Sequence, residues 1–338
     1  MPSDLRTLEI AQLGRESVKG SAVAQTTRWV GVTNVSPDEP KFWARTQNGI
    51  MLPRSQRGTI ATRMANVRFE SDLTFEQILH VLNMGFAGLT TGTGGGADKT
   101  WQFTPSVSAD PALNTFTLGY RKTDGTTNWD ERIAYLFAKN WEISAAIGEN
   151  AKIMAECVGR PVELATAITG AIGVPAVNYV PAALFKLYIN DTFGAIGTTQ
   201  KLGTLVSWRL AYTSPYQPKL YQDGLANRSF SAYGLKDADF SLEMQVEYTA
   251  DILSEQQKAD DDPGALRYIR LEAVGATLGG SAYEIEIDGA FEYEQGGFDV
   301  DGDRDGNGVV TLRLVGSYDN TNSLGLKVKV VNALAALP

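Results

Sequence analysis

Val67-Arg68-Phe69-Glu70-Ser71-Asp72-Leu73-Thr74-Phe75-Glu76-Gln77 returns in altered form as Val246-Glu247-Tyr248-Thr249-Ala250-Asp251-Ile252-Leu253-Ser254-Glu255-Gln256. The shared pattern, Val-x-aromatic-x-x-Asp-aliphatic-x-x-Glu-Gln, is displaced by 179 positions in a chain of 338. A period of half the chain is too long for a solenoid. It predicts two copies of one domain, each passing from a strand into a short helix. The expected units are residues 1–170 and 171–338, divided by the Ala-, Gly-, Thr- and Pro-rich stretch from Ala165 to Pro181. Fusion of like domains lets one polypeptide fill two equivalent stations of a symmetric ring.

Around the second copy of the pattern, Phe240, Leu242, Met244, Val246 and Tyr248 alternate with Ser241, Glu243, Gln245 and Glu247. That is the two-residue period of a strand with one wet face. Tyr283, Ile285 and Ile287 alternate with Glu284, Glu286 and Asp288, and the pattern resumes at Phe291 after a bend expected at Gly289. Val310 to Leu314 and Leu326 to Val330 alternate in the same way. The first half offers Val67 to Phe69, Ile133 to Phe137, Trp141 to Ala145 and Ile153 to Cys157 in matching order. The expected class is mainly β, with antiparallel sheets. Helices are few. Phe75, Ile78, Leu79 and Leu82 make one apolar stripe behind a Thr74 cap with Gln77 three positions on. A second helix starts near Asp251 and stops at Pro263, and a third runs from Asp4 to Leu13. Gly85–Lys99 and Gly296–Gly308 read as long loops.

The net charge of −9 argues against a surface that grips nucleic acid, because such affinity comes from Lys and Arg releasing counterions. Contact with nucleic acid that must not stick remains allowed. Cys157 is the only cysteine, which excludes an intramolecular disulfide and a Cys-rich metal site. Arg6, Glu9, Arg15 and Glu16 interrupt the apolar residues near the start, so neither a signal-peptide core nor a membrane span is expected.

No motif assembles a catalytic set. Asp301-Gly302-Asp303-Arg304-Asp305-Gly306 matches the first half of a calcium loop, but Leu312 stands where the bidentate Glu belongs, so a hairpin turn is the better reading. Gly92-Thr93-Gly94-Gly95-Gly96 lacks a Gly directly before Lys99 and is no phosphate loop. His80, the only histidine, falls near the apolar side of its helix and reads as structural. Cys157 sits in an alternating strand with no histidine to activate it and reads as core. No cofactor, metal or enzymatic activity is expected.

Two β-rich copies, the strand-to-helix signature, the long loops and the acidic balance together resemble the tail tube (major tail) proteins of long-tailed bacteriophages. Gly14-Arg15-Glu16-Ser17 through Gly20-Ser21-Ala22-Val23 is similar to the N-terminal stretch of that family, and Gly58 through Leu82 to its strand-then-helix passage. Asn114-Thr115-Phe116-Thr117-Leu118 resembles the strand that follows; Phe193-Gly194-Ala195-Ile196-Gly197-Thr198-Thr199 and Tyr318-Asp319-Asn320 resemble second-half features. The resemblance implies two β-sandwich or split-barrel domains, each with a short flanking helix. It implies a trimeric ring with pseudo-sixfold symmetry, stacked into a tube in the virion after synthesis in the host cytoplasm. Tape-measure and tail-terminator proteins would be its partners, and double-stranded DNA would pass without sticking. Acidic side chains on channel-facing strands would keep DNA from adhering. The candidates are Glu243 and Glu247 on one strand and Glu284, Glu286 and Asp288 on another, unless these are merely outer, solvated faces. The rival expectations are a secreted or surface β-sandwich binding module, adhesin-like and helped by calcium at 301–306, and a β-rich enzyme whose site is assembled from distant residues.

Overall fold

A computed structural model of the protein describes residues 8–43, 58–94, 98–106, 113–170, 172–224, 226, 228–262, 264–304 and 306–338. Within them the chain is mainly β, with antiparallel ladders and two α-helices. The first half runs β1 (Leu8–Arg15), β2 (Thr27–Trp29), β3 (Val32–Asp38), a hairpin of β4 (Lys41–Trp43) and β5 (Gly58–Ile60), then β6 (Met64–Asp72) and α1 (Ile78–Gly85). It continues through a hairpin of β7 (Gly88–Thr93) and β8 (Lys99–Pro105), β9 (Phe116–Thr123), β10 (Asn128–Ala146), β11 (Lys152–Gly159) and β12 (Glu163–Leu164). The second half runs β13 (Phe185–Asn190), β14 (Leu205–Thr213), a hairpin of β15 (Tyr216–Lys219) and β16 (Ala232–Leu235), β17 (Asp239–Glu247) and α2 (Ala250–Asp261). It ends with β18 (Arg267–Leu278), β19 (Ser281–Arg304), β20 (Asn307–Gly316) and β21 (Leu326–Asn332).

β10 and β19 are each long enough to serve two sheets. The first part of β10 pairs with β9 from Asn128 to Leu136, and the second with β11 from Phe137 to Ser144. β19 pairs with β18 up to Phe291 and with β20 from Phe291 to Arg304. β10 changes register between Ile133 and Leu136, where Tyr135 takes a φ of 58°. Glu16 holds this corner. Its buried carboxylate accepts from the N–H groups of Tyr135 (2.8 Å) and Gly20 (2.7 Å) and the hydroxyls of Thr115 (2.6 Å) and Thr117 (2.9 Å). Four donors replace the water lost on burial and hold the strand in a conformation a tyrosine rarely adopts.

The same pairing order runs twice: β1–β9–β10–β11–β6–β3, then β13–β18–β19–β20–β17–β14. The registers agree as well. Val67 lies between Val35 and Cys157, and Leu242 between Leu210 and Leu314. From Val35 to Leu210 and from Val67 to Leu242 is the same 175 positions. The sequence match at 179 positions is therefore four residues out of step with the strands. Asp72 closes β6, whereas Asp251 is in the first turn of α2. What coincides is the threonine cap. Thr74 accepts from the N–H of Gln77 (3.0 Å) and Thr249, 175 positions on, from that of Ile252 (3.4 Å).

The two orders meet where the second part of β10 pairs with β14, from Asn140 opposite Thr213 to Ala146 opposite Ser207. This makes one eight-stranded sheet in the order β3–β6–β11–β10–β14–β17–β20–β19. Its apolar side shares a core with two further sheets, β2–β1–β9–β10–β12 and β13–β18–β19–β21–β8–β7.

Three expectations are corrected. Leu8 to Leu13 belong to strand β1, not to a helix, and Asp4 to Thr7 lie outside the described residues. Ala11 and Leu13, two apart, enter the core while the backbone pairs with β2 and β9, which a helix could not do. Most of Gly85–Lys99 is not a loop but the hairpin β7–β8, which crosses to the second half and pairs with β21; residues 95–97 lie outside the description. Its glycines serve clearance. A Cβ on Gly92 would meet the Trp101 ring at 2.5 Å, and one on Gly88 would meet the Thr104 carbonyl. Gly296–Gly308, read as a loop, is mostly the end of β19 turning into β20, with Asp305 outside the description. The stretch 165–181 is irregular but fastened, by bridges of Tyr179 to Thr74 and Pro181 to Asn150, with Val180 fully buried.

The helices differ in cover. All eight residues of α1 are buried, whereas α2 buries Ile252, Glu255 and Ala259. α1 lies between the halves. Phe75, just before it, packs on Tyr283 (5.4 Å between centroids), and the Phe75 carbonyl accepts from Asn332 Nδ2 (2.7 Å). Phe86, just after it, stacks on Tyr212 at 5.5 Å. The single stripe expected from sequence is thus buried on all sides.

Candidate functional site

One face of the eight-stranded sheet carries Val67, Phe69, Trp141, Ile143, Leu210, Leu242 and Leu312 into the core. Strand alternation puts polar residues on the other face, and the registers align them in rows. One row reads Asp72, Lys152, Ser144, Arg209, Glu243, Arg313 across six strands. The next but one reads Asn34, Arg68, Glu156, Asn140, Thr213, Asp239. Between them lie Glu70 and Glu142.

Four cations on this face are matched to carboxylates, while Lys139, which lines a hollow with Asn34, Arg68 and Glu156, is given no ion pair by the described residues. Arg209 reaches Glu142 at 2.7 Å, Arg68 reaches Glu70 at 3.4 Å, Lys152 reaches Glu149 at 2.7 Å, and Arg313 pairs with Asp299. The described residues give no ion pair to Glu156, Asp239 or Glu243, so the face carries surplus negative charge over a paired background. Glu243 is exposed here, and Glu247 sits at the rim with Arg304 at 3.5 Å.

The other three expected residues are elsewhere. Glu284, Glu286 and Asp288 are on the first part of β19, in the sheet that packs over the other side of the core. Glu286 and Asp288 are not on a wet face: they are 5% and 3% exposed. Arg270 binds Asp288 through two hydrogen bonds (2.6 and 2.9 Å) and lies 3.1 Å from Glu286, while Lys329 reaches Glu286 at 2.6 Å and Glu284 at 3.0 Å. The long cationic side chains from β18 and β21 lie over the carboxylates and seal them, which the alternation of polarity alone cannot reveal. Burial pushes the Glu286 carboxyl up, against the pull of Lys329. Glu272, Glu284 and Glu286 bring oxygens within 4.8 Å of one another, a spacing suited to a hard cation, but Lys186, Lys329 and Arg270 occupy that role.

The sheet ends on two strands with one described neighbour each. β3 pairs with β6, and the second part of β19 with β20. Sequence reasoning missed these edges because pairing partners are not written in a strand's own alternation. The strands at the central joint are their counterparts. Trp141 pairs with Ala155 and Phe298 with Leu312, both 157 positions on, so β10 answers to the second part of β19, while β14 answers to β3. At the joint Ile143 is opposite Leu210 and both are 0% exposed. Val300, the counterpart of Ile143, is 80% exposed.

The remaining motifs form no reactive site. Lys99 Nζ donates to the Gly94 carbonyl within the hairpin. Asp303 accepts from the Gly306 N–H at 2.7 Å, closing the β19–β20 turn. Burial pushes the Cys157 thiol up, which disfavours thiolate. His80 is buried, its Nδ1 has no partner among the described residues, and desolvation pushes its pKa down to about 4. No protein-family model matches the chain, and no curated protein sequence matches it either.

Proposed function

We propose that the chain is a structural ring protein of the tail-tube kind, built from two like domains, three copies of which close a barrel around a channel for double-stranded DNA. The observation that carries this reading is the central joint. β10 on β14 is an edge-to-edge contact between two four-strand sets of the same order, and the strands left open at either end are the counterparts of those two. A joint of β19 on β3 of the next copy repeats the internal one and leaves no open edge among the eight-stranded sheets of the ring.

The internal registers transfer to it. Trp141 opposite Tyr212 becomes Phe298 opposite Pro37, and Ile143 opposite Leu210 becomes Val300 opposite Val35. Three sheets of eight strands make a barrel of about 24 strands, on the order of 40–50 Å across at ordinary strand spacing and tilt. The polar face then lines the channel. Glu243 and Glu247 face it, and Glu284, Glu286 and Asp288 stay in the outer sheet. Stacking of rings into a tube, passage of DNA, and contact with tape-measure and tail-terminator proteins belong to the same reading.

The test is Val300→Lys. A charge at the open edge leaves the isolated chain's stability within about 0.5 kcal/mol of the original, because the residue is exposed there. It abolishes rings and tubes in negative-stain images and holds the chain monomeric in sedimentation. A variant that assembles like the parent sinks the reading, as does a parent that stays monomeric at every concentration.

A further inference from the structure

The two halves are not equally finished. On β18, Ile269, Leu271 and Ala273 face the core, and their counterparts on β9 are Leu118, Tyr120 and Lys122. Ala273 is opposite Ile285, which is 0% exposed in the core cluster that also holds Phe75, Ile78 and Leu82. Lys122 is opposite Trp129, which is 54% exposed. Next to it, Leu164 on β12 is opposite Glu131 and is 72% exposed, whereas Val328, opposite Ile287 in the second half, is fully buried. The core-facing side of the first half's outer sheet therefore runs out into solvent where that of the second half is covered.

Part of the cover of the second half is supplied by the first, through Phe75 on Tyr283 and against Gly275 just before α1. α2 is the counterpart of α1. Glu255 and Ala259, buried on their own half, stand 175 positions after His80 and Met84, and Leu253 the same distance after Ile78. Ile78 is 0% exposed in the core cluster shared by both halves, whereas Leu253 is 40% exposed. We infer that α2 of one copy seats on the Trp129–Leu164 patch of the next copy, with Leu253 against Trp129.

This contact rests on the ring reading and adds to it a second, separate seam between copies. Its chemistry differs from that inside the chain. The side of α2 that carries Leu253 also bears Gln257 and Asp260, four and seven positions on, and the patch bears Lys122 beside Trp129, so one apolar anchor sits in a polar surround with opposite charges available. Inside the chain the side chain seen against the outer sheet of the other half is the aromatic ring of Phe75, on Tyr283.

Two variants that each add one cysteine, Leu253→Cys and Trp129→Cys, are mixed and oxidised with diamide, and a second pair, Val300→Cys and Val35→Cys, is treated alike. Cys157 is buried and stays out of the reaction. A disulfide-linked dimer that forms in the first mixture, and not in either variant alone, supports the helix seam. Cross-linking of the strand pair without the helix pair overturns the seam and leaves the ring standing. Failure of both pairs overturns the ring as well.

Discussion

His80 shows how a lone titratable residue becomes a pH liability once a helix is enclosed. In the unfolded chain its imidazole titrates near the ordinary value of 6.5, while burial in α1 pushes it down to about 4. Arg15, Arg28 and Glu76 line the same cavity of about 380 Å³, yet the lost hydration is what moves the group. Between those two values the unfolded chain binds a proton that the folded chain does not, so stability falls as pH drops from about 6.5 to about 4. The integrated loss is about 3 kcal/mol. In chemical denaturation across that window, His80→Gln flattens the pH slope by this amount relative to the parent. Equal slopes would mean that the ring is not desolvated. The position was visible in the sequence as a helix residue near the apolar stripe; the severity of its burial was not, because the second half supplies the cover.

At the scale of elements, strands were legible and their neighbours were not. Phe240 to Glu247 and Tyr283 to Tyr293 alternate and become most of β17 and part of β19; Tyr248 falls just past the end of β17, and β19 pairs straight through Gly289, where a bend was expected. The glycine-rich stretch after α1 was misread because Gly88 and Gly92 look like flexibility, while the structure uses them to let Thr104 and Trp101 come close. α1 itself was expected to pack on one sheet, but its flanking residues Phe75 and Phe86 reach Tyr283, Asn332 and Tyr212 in the other half, and Asn83 on the helix donates to the Pro338 carbonyl. Phe75→Ala removes the ring that bridges the halves and leaves a cavity costing about 3–5 kcal/mol. Calorimetry should record a lower melting temperature with the halves still unfolding together. Two separated transitions would mean that α1 does not couple them. The edge strands carry their own guards: Pro37 on β3 and a register shift before Gly302 (φ 140°) on β19 limit pairing with arbitrary strands.

For the whole molecule, the sequence match at 179 positions lies four residues off the 175-residue offset at which the strand-pairing order recurs, since Asp and Glu-Gln recur by composition while the Thr74 and Thr249 caps fall at the structural offset. The acidic candidates split between two sheets because alternation gives a wet side to each strand without saying which sheet it joins. The polar face that results is mostly paired charge with Glu156, Asp239 and Glu243 in surplus. In the proposed ring this surplus faces the channel, and replacing all three with lysine converts a repelling wall into a binding one. Assembled variant protein should then retain duplex DNA in a sedimentation assay, with retention falling steeply as salt rises, whereas the parent retains none. Retention by the parent at moderate salt would contradict a low-friction wall.

The hairpin that the first half lends to β21 also sets the order in which the chain can be completed. β8 leaves the ribosome long before its partner strand exists, so it waits with an unsatisfied ladder until Leu326–Asn332 emerge. Only then does the clasp close, by a contact of very large sequence separation, the slowest kind to form. A nascent chain stalled before β21 is therefore held as an unlatched intermediate, and the final strand acts as its lock.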